Sequence, residues 1–176
     1  MLATLRNAFK TGNATVQYPA VQPDLPYGYR GKPEHDVKQC IACGACAEVC
    51  PANAIQMSVD LAADTITWQI NYGRCIFCGR CQENCPIDAI KLGKEFELAV
   101  MDADDLVEKA SYTLEHCEAC GKPFAPHKEV AYMQEVLEHV DGPESEEAKL
   151  MAHLCPACKR KRDGMVAAER ERGVTK

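Results

Sequence analysis

The chain spells C-x2-C-x2-C-x3-C-P twice, from Cys40 and again from Cys75, and no other feature limits its fold as tightly. The copies, C-I-A-C-G-A-C-A-E-V-C-P-A-N-A-I-Q-M and C-I-F-C-G-R-C-Q-E-N-C-P-I-D-A-I-K-L, are offset by 35 residues and agree at 10 of 18 positions. A four-iron cluster needs four thiolates at the corners of a compact cube. Three come from one tight loop, and the fourth sits at the start of a short helix, where the following proline turns the chain away. In two-cluster ferredoxins that fourth cysteine serves the other cluster. The spacing therefore assigns Cys40, Cys43, Cys46 and Cys85 to one [4Fe–4S] cluster, and Cys75, Cys78, Cys81 and Cys50 to a second. The second cysteine of each loop, Cys43 and Cys78, is present, so both sites read as four-iron rather than three-iron. Gly44 and Gly79 are expected to let backbone N–H groups approach the sulfurs. Ile41, Ile55, Ile76 and Ile90 are expected to form an apolar shell. The competing reading, a set of structural zinc sites, does not explain the doubled prolines.

Cysteine usage settles the broad class. Twelve cysteines among 176 residues suit either a secreted disulfide scaffold or a metal protein. The C-x-x-C pairing, the fixed prolines and an opening M-L-A-T-L-R-N-A-F-K without a signal-peptide pattern favour metal and a reducing, cytoplasmic setting. Aromatic residues are 6% of the chain, thin for a large core and in keeping with a small domain held together by metals. No apolar run is long enough to span a membrane.

Three segments follow from the pattern. Residues 1–33 read as a helix, with Leu2, Leu5, Ala8 and Phe9 on one face, and then a docking arm. The arm is rich in proline and glycine, and Tyr18, Tyr27 and Tyr29 are expected to pack along a surface. Residues 34–100 read as the two-cluster domain. Between the copies Ile66, Trp68 and Ile70 alternate with polar residues at strand period, and Phe96, Leu98 and Val100 repeat that pattern after the second copy. Residues 101–176 read as a helical extension. Asp102 or Asp104 is expected to cap a helix running to about His116. Val130, Met133, Leu137 and Val140 mark a second helix, stopped at Asp141-Gly142-Pro143, and a third runs from Glu144 to Leu154. The fold class is α+β: a bacterial-type dicluster ferredoxin-like domain with an N-terminal helix and arm and a C-terminal helical, zinc-ribbon-like extension.

The extension carries its own cysteines, Cys117, Cys120, Cys155 and Cys158, as two C-x-x-C pairs. A closed four-thiolate site for Zn2+ is the expectation, with a mononuclear iron, a third cluster or no metal as alternatives. His116 and His153 lie close enough in sequence to replace a thiolate, although four cysteines suffice. His35, His127 and His139 carry no ligand expectation.

The net charge of −6 is unevenly spread. Residues 94–158 hold 5 basic and 15 acidic side chains, which argues against a nucleic-acid-binding body. The basic run Lys159-Arg160-Lys161-Arg162 reads as a solvated helix end rather than a docking patch. No catalytic constellation is present: no G-x-G-x-x-G, P-loop, H-E-x-x-H or G-x-S-x-G, and no C-x3-C-x2-C. The chain reads as a wire.

Several segments together narrow this further: T-G-N-A-T-x-x-Y-P, then Y-R-G-K-P-E before the first loop, N-Y-G-R-C-I-F-C-G-R-C across the second, and E-F-E-L-A-V after it. With the C-terminal C-x-x-C pairs, they resemble the ferredoxin-like subunit of formate hydrogenlyase and related membrane-bound [NiFe] hydrogenases. The more distantly similar two-cluster subunit of respiratory complex I generally lacks such a tail. The resemblance implies an electron relay from a polyferredoxin-type donor subunit, through both clusters, to the hydrogenase small subunit and thence to the nickel–iron site of the large subunit. It implies a place on the cytoplasmic side of the inner membrane, in the peripheral arm of a membrane complex, with the N-terminal helix and arm docked on neighbours. A complex I subunit and a free soluble ferredoxin are the alternatives.

Overall fold

The computed structural model describes residues 2–12, 15–140 and 142–171. Asn13 and Ala14 of the T-G-N-A-T segment, Asp141 of the expected helix stop and residues 172–176 of the basic end lie outside them. Helix α1 (Leu2–Thr11) leads through an irregular arm to strand β1 (Pro33–His35), the short helix α2 (Ala45–Glu48), strands β2 (Ile55–Asp60) and β3 (Thr65–Asn71), short helix α3 (Arg80–Glu83) and strand β4 (Ile90–Leu92). A 3-10 turn (Ala103–Leu106) opens strand β5 (Val107–His116). Strand β6 (Pro123–Pro126) and helices α4 (His127–Glu138), α5 (Pro143–Ala152) and α6 (Pro156–Glu171) complete the chain.

The hairpin β2–β3 follows from local chemistry. Asp60 Oδ1 accepts from the Ala62 and Ala63 N–H groups at 2.9 and 3.1 Å, and Asp64 takes the left-handed conformation at φ 55, which short polar side chains tolerate. On β3 the expected alternation holds, with Trp68 and Ile70 fully buried. Burying Ile70 stabilises by about 1.5–3 kcal/mol. Trp68 and Ile70 centre a core that includes Ala42, Ile55, Tyr72, Ile90, Ala110 and Tyr112.

The segment after Asp102 corrects the sequence reading. Asp102 does cap, accepting from Asp104 N at 3.1 Å, but it caps only the 3-10 turn. Residues 107–116 form β5 instead of a helix, and β5 pairs antiparallel along the whole of β3. The physical reason is period two. Ala110 and Tyr112 point inward while Lys109, Ser111 and Thr113 point out, and the free edge of β3 supplies a ladder that an isolated helix lacks. Small Ala110 lies opposite Trp68, leaving room for the indole. The sheet order is β2-β3-β5-β6, so it runs continuously across position 100. The expected strand at Phe96, Leu98 and Val100 is also absent. That segment is extended but has no ladder, although Leu98 packs on the core.

Strands β1 and β4 form a second, two-stranded sheet. The arm enters it through Gly31, whose N–H donates to the Gly93 carbonyl at 3.1 Å. A Cβ on Gly31 would lie 2.7 Å from that same oxygen and closer still to the Glu95 carbonyl. Gly31→Ala is therefore expected to lower stability by about 1–3 kcal/mol, read as a fall in the denaturant midpoint. Gly164→Ala is the control: a Cβ there meets nothing within 4 Å on α6, so it should gain up to about 1 kcal/mol.

Of the arm tyrosines, Tyr18 and Tyr29 pack against the Phe96 ring at 5.6 and 6.2 Å between centroids, whereas Tyr27 is fully exposed. Leu5 and Phe9 of α1 are likewise exposed. Helices α4 and α5 form near the expected places, and α4 is tied to the first loop region by Lys128 Nζ. That ammonium donates to the Val37 and Lys38 carbonyls at 2.9 Å each. Arg162 on α6 lies 3.8 Å from Glu147, as a solvated helix face allows. No helix is long and apolar enough to cross a membrane among the described residues.

Candidate iron–sulfur and metal sites

The sequence repeat becomes a structural repeat. Ala42 and Phe77, 35 residues apart, both adopt left-handed backbone at φ 58 and 52. That turn aims their N–H groups back at Cys40 Sγ and Cys75 Sγ, at 3.3 and 3.4 Å. Asn53 and Asp88 do the same at φ 49 and 56, and Ala54 N and Ala89 N donate to Cys50 Sγ and Cys85 Sγ at 3.2 Å. Gly44 and Gly79 precede α2 and α3 at φ 76 and 83. Their role is therefore the left-handed entry to each helix, a more specific reason than close approach to sulfur.

Each loop packs its three cysteines around a cavity closed by the other loop's fourth. Cys40, Cys43, Cys46 and Cys85 line the first. Cys50, Cys75, Cys78 and Cys81 line the second. The short sheet straddles both: His35 and Ile90 face the first cavity, Pro33 and Leu92 the second. Ile41 and Ile90 line the first cavity, and Ile55 and Ile76 the second. Ile76 is 62% exposed and Ile41 only 9%, while the exposed cysteine among the eight, Cys43, belongs to the first cavity.

Sulfur-rich, otherwise apolar walls suit iron–sulfur groups, and one further observation tests the fit. Both ring nitrogens of His35 are buried without a hydrogen-bond partner, at the wall of the first cavity. Buried polar atoms are seldom left so, and a group carrying sulfide and thiolate acceptors in that cavity would satisfy the ring nitrogen that carries the proton. Burial pushes the Cys46 and Cys81 thiols up to about 11. Thiolates there need bound metal to offset their desolvation. A [4Fe–4S] cluster, when bound, supplies reversible one-electron storage.

Sequence reasoning missed three residues around the cysteines of the first loop. Trp68 Nε1 donates to Cys46 Sγ at 3.3 Å. The Trp68 ring stacks on His35 with centroids 3.8 Å apart. Tyr112, whose phenol is pushed upward by burial and then by neighbouring Cys40, has a buried hydroxyl without a hydrogen-bond partner. None lies within a cysteine motif, so spacing gave no signal. At the second cavity Arg30 Nη1 donates to the Cys78 carbonyl at 3.0 Å.

A third cysteine set forms in the extension. Cys117 follows β5, Cys120 sits in a turn closed by Gly121 (φ 68), and Cys155 and Cys158 flank the start of α6. The four sulfurs lie within 4.8 Å of one another, with Cys120 Sγ and Cys155 Sγ 3.7 Å apart. A single tetrahedral ion with metal–sulfur bonds of about 2.3 Å sets its ligands about 3.8 Å apart, whereas a four-iron cube would spread them further. Cys155 N donates to Cys117 Sγ at 3.2 Å, and such backbone donors pull the Cys117 thiol down to about 6. His116 and His153 turn elsewhere, toward Asp64 at 2.9 Å and Glu115 at 3.4 Å.

Paired cavities, pseudo-symmetric thiol–amide bonds and crossed cysteines define a dicluster iron–sulfur domain, and the family described as "4Fe-4S dicluster domain" matches residues 39–89. Formate hydrogenlyase subunit 6 of Escherichia coli (strain K12) is 42% identical over 162 residues, spanning 92% of this chain and 90% of its own length. The chain belongs to the family of formate hydrogenlyase subunit 6. NADH-quinone oxidoreductase subunit I of Cytophaga hutchinsonii is 45% identical over 65 residues, covering 34% of this chain and 37% of that protein. A chain from the structure of an archaeal membrane-bound sulfane sulfur reductase aligns with a TM-score of 0.43 at 26% identity, covering 78% of this chain and 68% of that one.

Proposed function

We propose that this chain is the electron-relay subunit of a membrane-bound [NiFe] hydrogenase of formate hydrogenlyase type. It takes electrons from a polyferredoxin-type donor subunit and delivers them to the hydrogenase small subunit, which serves the nickel–iron site of the large subunit. One [4Fe–4S] cluster is held by Cys40, Cys43, Cys46 and Cys85, the other by Cys75, Cys78, Cys81 and Cys50, and the chain sits peripherally on the cytoplasmic side of the membrane. One observation carries this reading: two cavities, each lined by four crossed cysteines, in a chain whose likeness to formate hydrogenlyase subunit 6 extends over nine-tenths of its length. Likeness to NADH-quinone oxidoreductase subunit I covers a third of the chain in the case above, which favours the hydrogenase side over the complex I equivalent. The exposed Leu5 and Phe9 of α1 are consistent with docking on neighbouring subunits rather than with a free ferredoxin.

Cys117, Cys120, Cys155 and Cys158 hold one Zn2+ in this reading. Their sulfur spacing suits one tetrahedral ion, and a closed thiolate site has no open position for chemistry. Mononuclear iron would need the same geometry, so metal analysis separates the two. Anaerobic purification of the native complex is expected to give about eight iron and eight sulfide per chain, one zinc, and co-purification with a nickel-containing subunit. Partners that reduce quinone, with no nickel, would transfer the chain to the complex I side. Material empty of acid-labile sulfide would end the relay reading.

A further inference from the structure

The two cluster loops are copies, so differences between the cavities arise from residues outside the repeat. The backbone donors are matched: Ala42 and Ala89 to the first cavity, Phe77 and Ala54 to the second. The side-chain donors are not. Trp68 Nε1 reaches Cys46 Sγ. Cys81, its counterpart 35 residues on, receives no such side-chain bond among the described residues. His35, in the wall of the first cavity, has both ring nitrogens buried and unpartnered, and its neutral imidazole offers one of them as a donor. The Tyr112 hydroxyl, also buried and unpartnered, belongs to the core on which Cys40 packs. Tyr72, which feels the charge of Cys75, is already engaged by the Pro33 carbonyl at 3.0 Å and Glu108 Oε2 at 2.5 Å.

Reduction adds one negative charge to a cluster and its thiolates. Hydrogen-bond donors aimed at the sulfurs stabilise that charge and raise the potential. Opposing charges are weaker here. Arg30 and Arg80 stand near the second cavity, but both are exposed, and water and salt screen them. Glu129 acts on Cys43 as a charge without a hydrogen bond to it, and burial raises its carboxyl from the ordinary value.

We propose that Trp68, Tyr112 and His35 make the cluster at Cys40, Cys43, Cys46 and Cys85 the higher-potential member of the pair, so that an electron entering the chain rests there. This rests on the two-cluster reading above. The indole supplies a bond already formed to Cys46, and the other two side chains supply donors with no competing acceptor. In a relay, the first cavity then becomes the holding point, and the second cavity holds its cluster at lower potential.

The test is an electron-paramagnetic-resonance redox titration of the full-length, cluster-loaded chain, with iron and sulfide measured on the same sample. Dithionite supplies one electron per cluster, and no bond is made or broken in the protein. Trp68→Phe, Tyr112→Phe and His35→Leu are each expected to lower the higher of the two midpoint potentials and leave the lower one in place. The indole substitution is expected to give the largest shift. Should Trp68→Phe lose its cluster for want of packing, Tyr112→Phe, which removes one oxygen, decides. Two clusters present with neither potential moved, or with the lower one moved instead, overturn the inference and leave the relay reading standing. A wild-type chain without two clusters overturns the relay reading, and this one with it.

Discussion

Replacing Cys50 with alanine is expected to remove the cluster of the second loop, although Cys50 belongs to the first copy of the motif. Its sulfur lines the cavity of Cys75, Cys78 and Cys81 and accepts from Ala54 N at 3.2 Å. Iron content should fall by about half, from eight to four per chain. The surviving resonance signal should be the one whose potential answers to Trp68. Cys85→Ala is the mirror experiment and should spare the other cluster. The outcome that refutes the crossed pairing is survival of the second-loop cluster in Cys50→Ala with loss of the first. The two four-residue helices α2 and α3 pack against each other, so some loss of yield is expected in both variants. Ratios of signal to iron, not absolute amounts, carry the comparison.

Cys117→Ser is expected to empty the tail site while sparing both clusters. Bound tail metal should drop from about one per chain to near zero, because a structural four-thiolate site tolerates loss of a ligand poorly. The turn at Cys120 and the start of α6 then lose their metal anchor, whereas β6 stays paired with β5 and Lys128 still ties α4 to the first loop region. Cys117 N donates to the Lys122 carbonyl at 2.9 Å, and Glu118 N donates to the His153 carbonyl at 3.1 Å. Limited proteolysis after residue 117 should quicken by about tenfold or more. Strand β5 remains zipped to β3 through Asn71↔Val107 to Thr65↔Thr113, so Tyr112 stays beside Cys40 and the cluster signals persist. Loss of both cluster signals would show that the tail and the cluster domain fold as one unit. The pH dependence has a definite sign. Cys117 is lowered from its ordinary 9.0 to about 6, so its thiolate favours the folded tail above that ordinary value and loses its contribution as pH falls through about 6. The metal-free tail should therefore lose stability as pH falls through about 6, read as faster limited proteolysis of the chelator-treated chain.

Much of this protein is legible in its primary structure, and the reasons are local. The two cysteine motifs, their prolines and the alternation of Ile66, Trp68 and Ile70 are all set within a few residues of chain. So are Asp102 as a cap and each C-x-x-C pair of the extension. What escaped local reading was always a matter of a partner distant in sequence. Residues 107–116 have a strand's period, but an acidic neighbourhood and a good cap at Asp102 suggested a helix. The exposed edge of β3, some 40 residues earlier, decides otherwise by offering an unpaired ladder. Phe96, Leu98 and Val100 have the same period but join neither sheet.

The sequence by itself determined that eight cysteines would form two crossed sets, because C-x2-C-x2-C-x3-C-P allows few ways to bring four sulfurs around one small cavity. Tertiary structure alone decided that the two sets would be unequal. The indole of Trp68 lies 22 residues from the sulfur it meets, and Tyr112 reaches Cys40 only because β5 lies on β3. A repeat makes its two loops alike, whereas hydrogen bonds to sulfur depend on whatever else the fold carries to within about 3 Å.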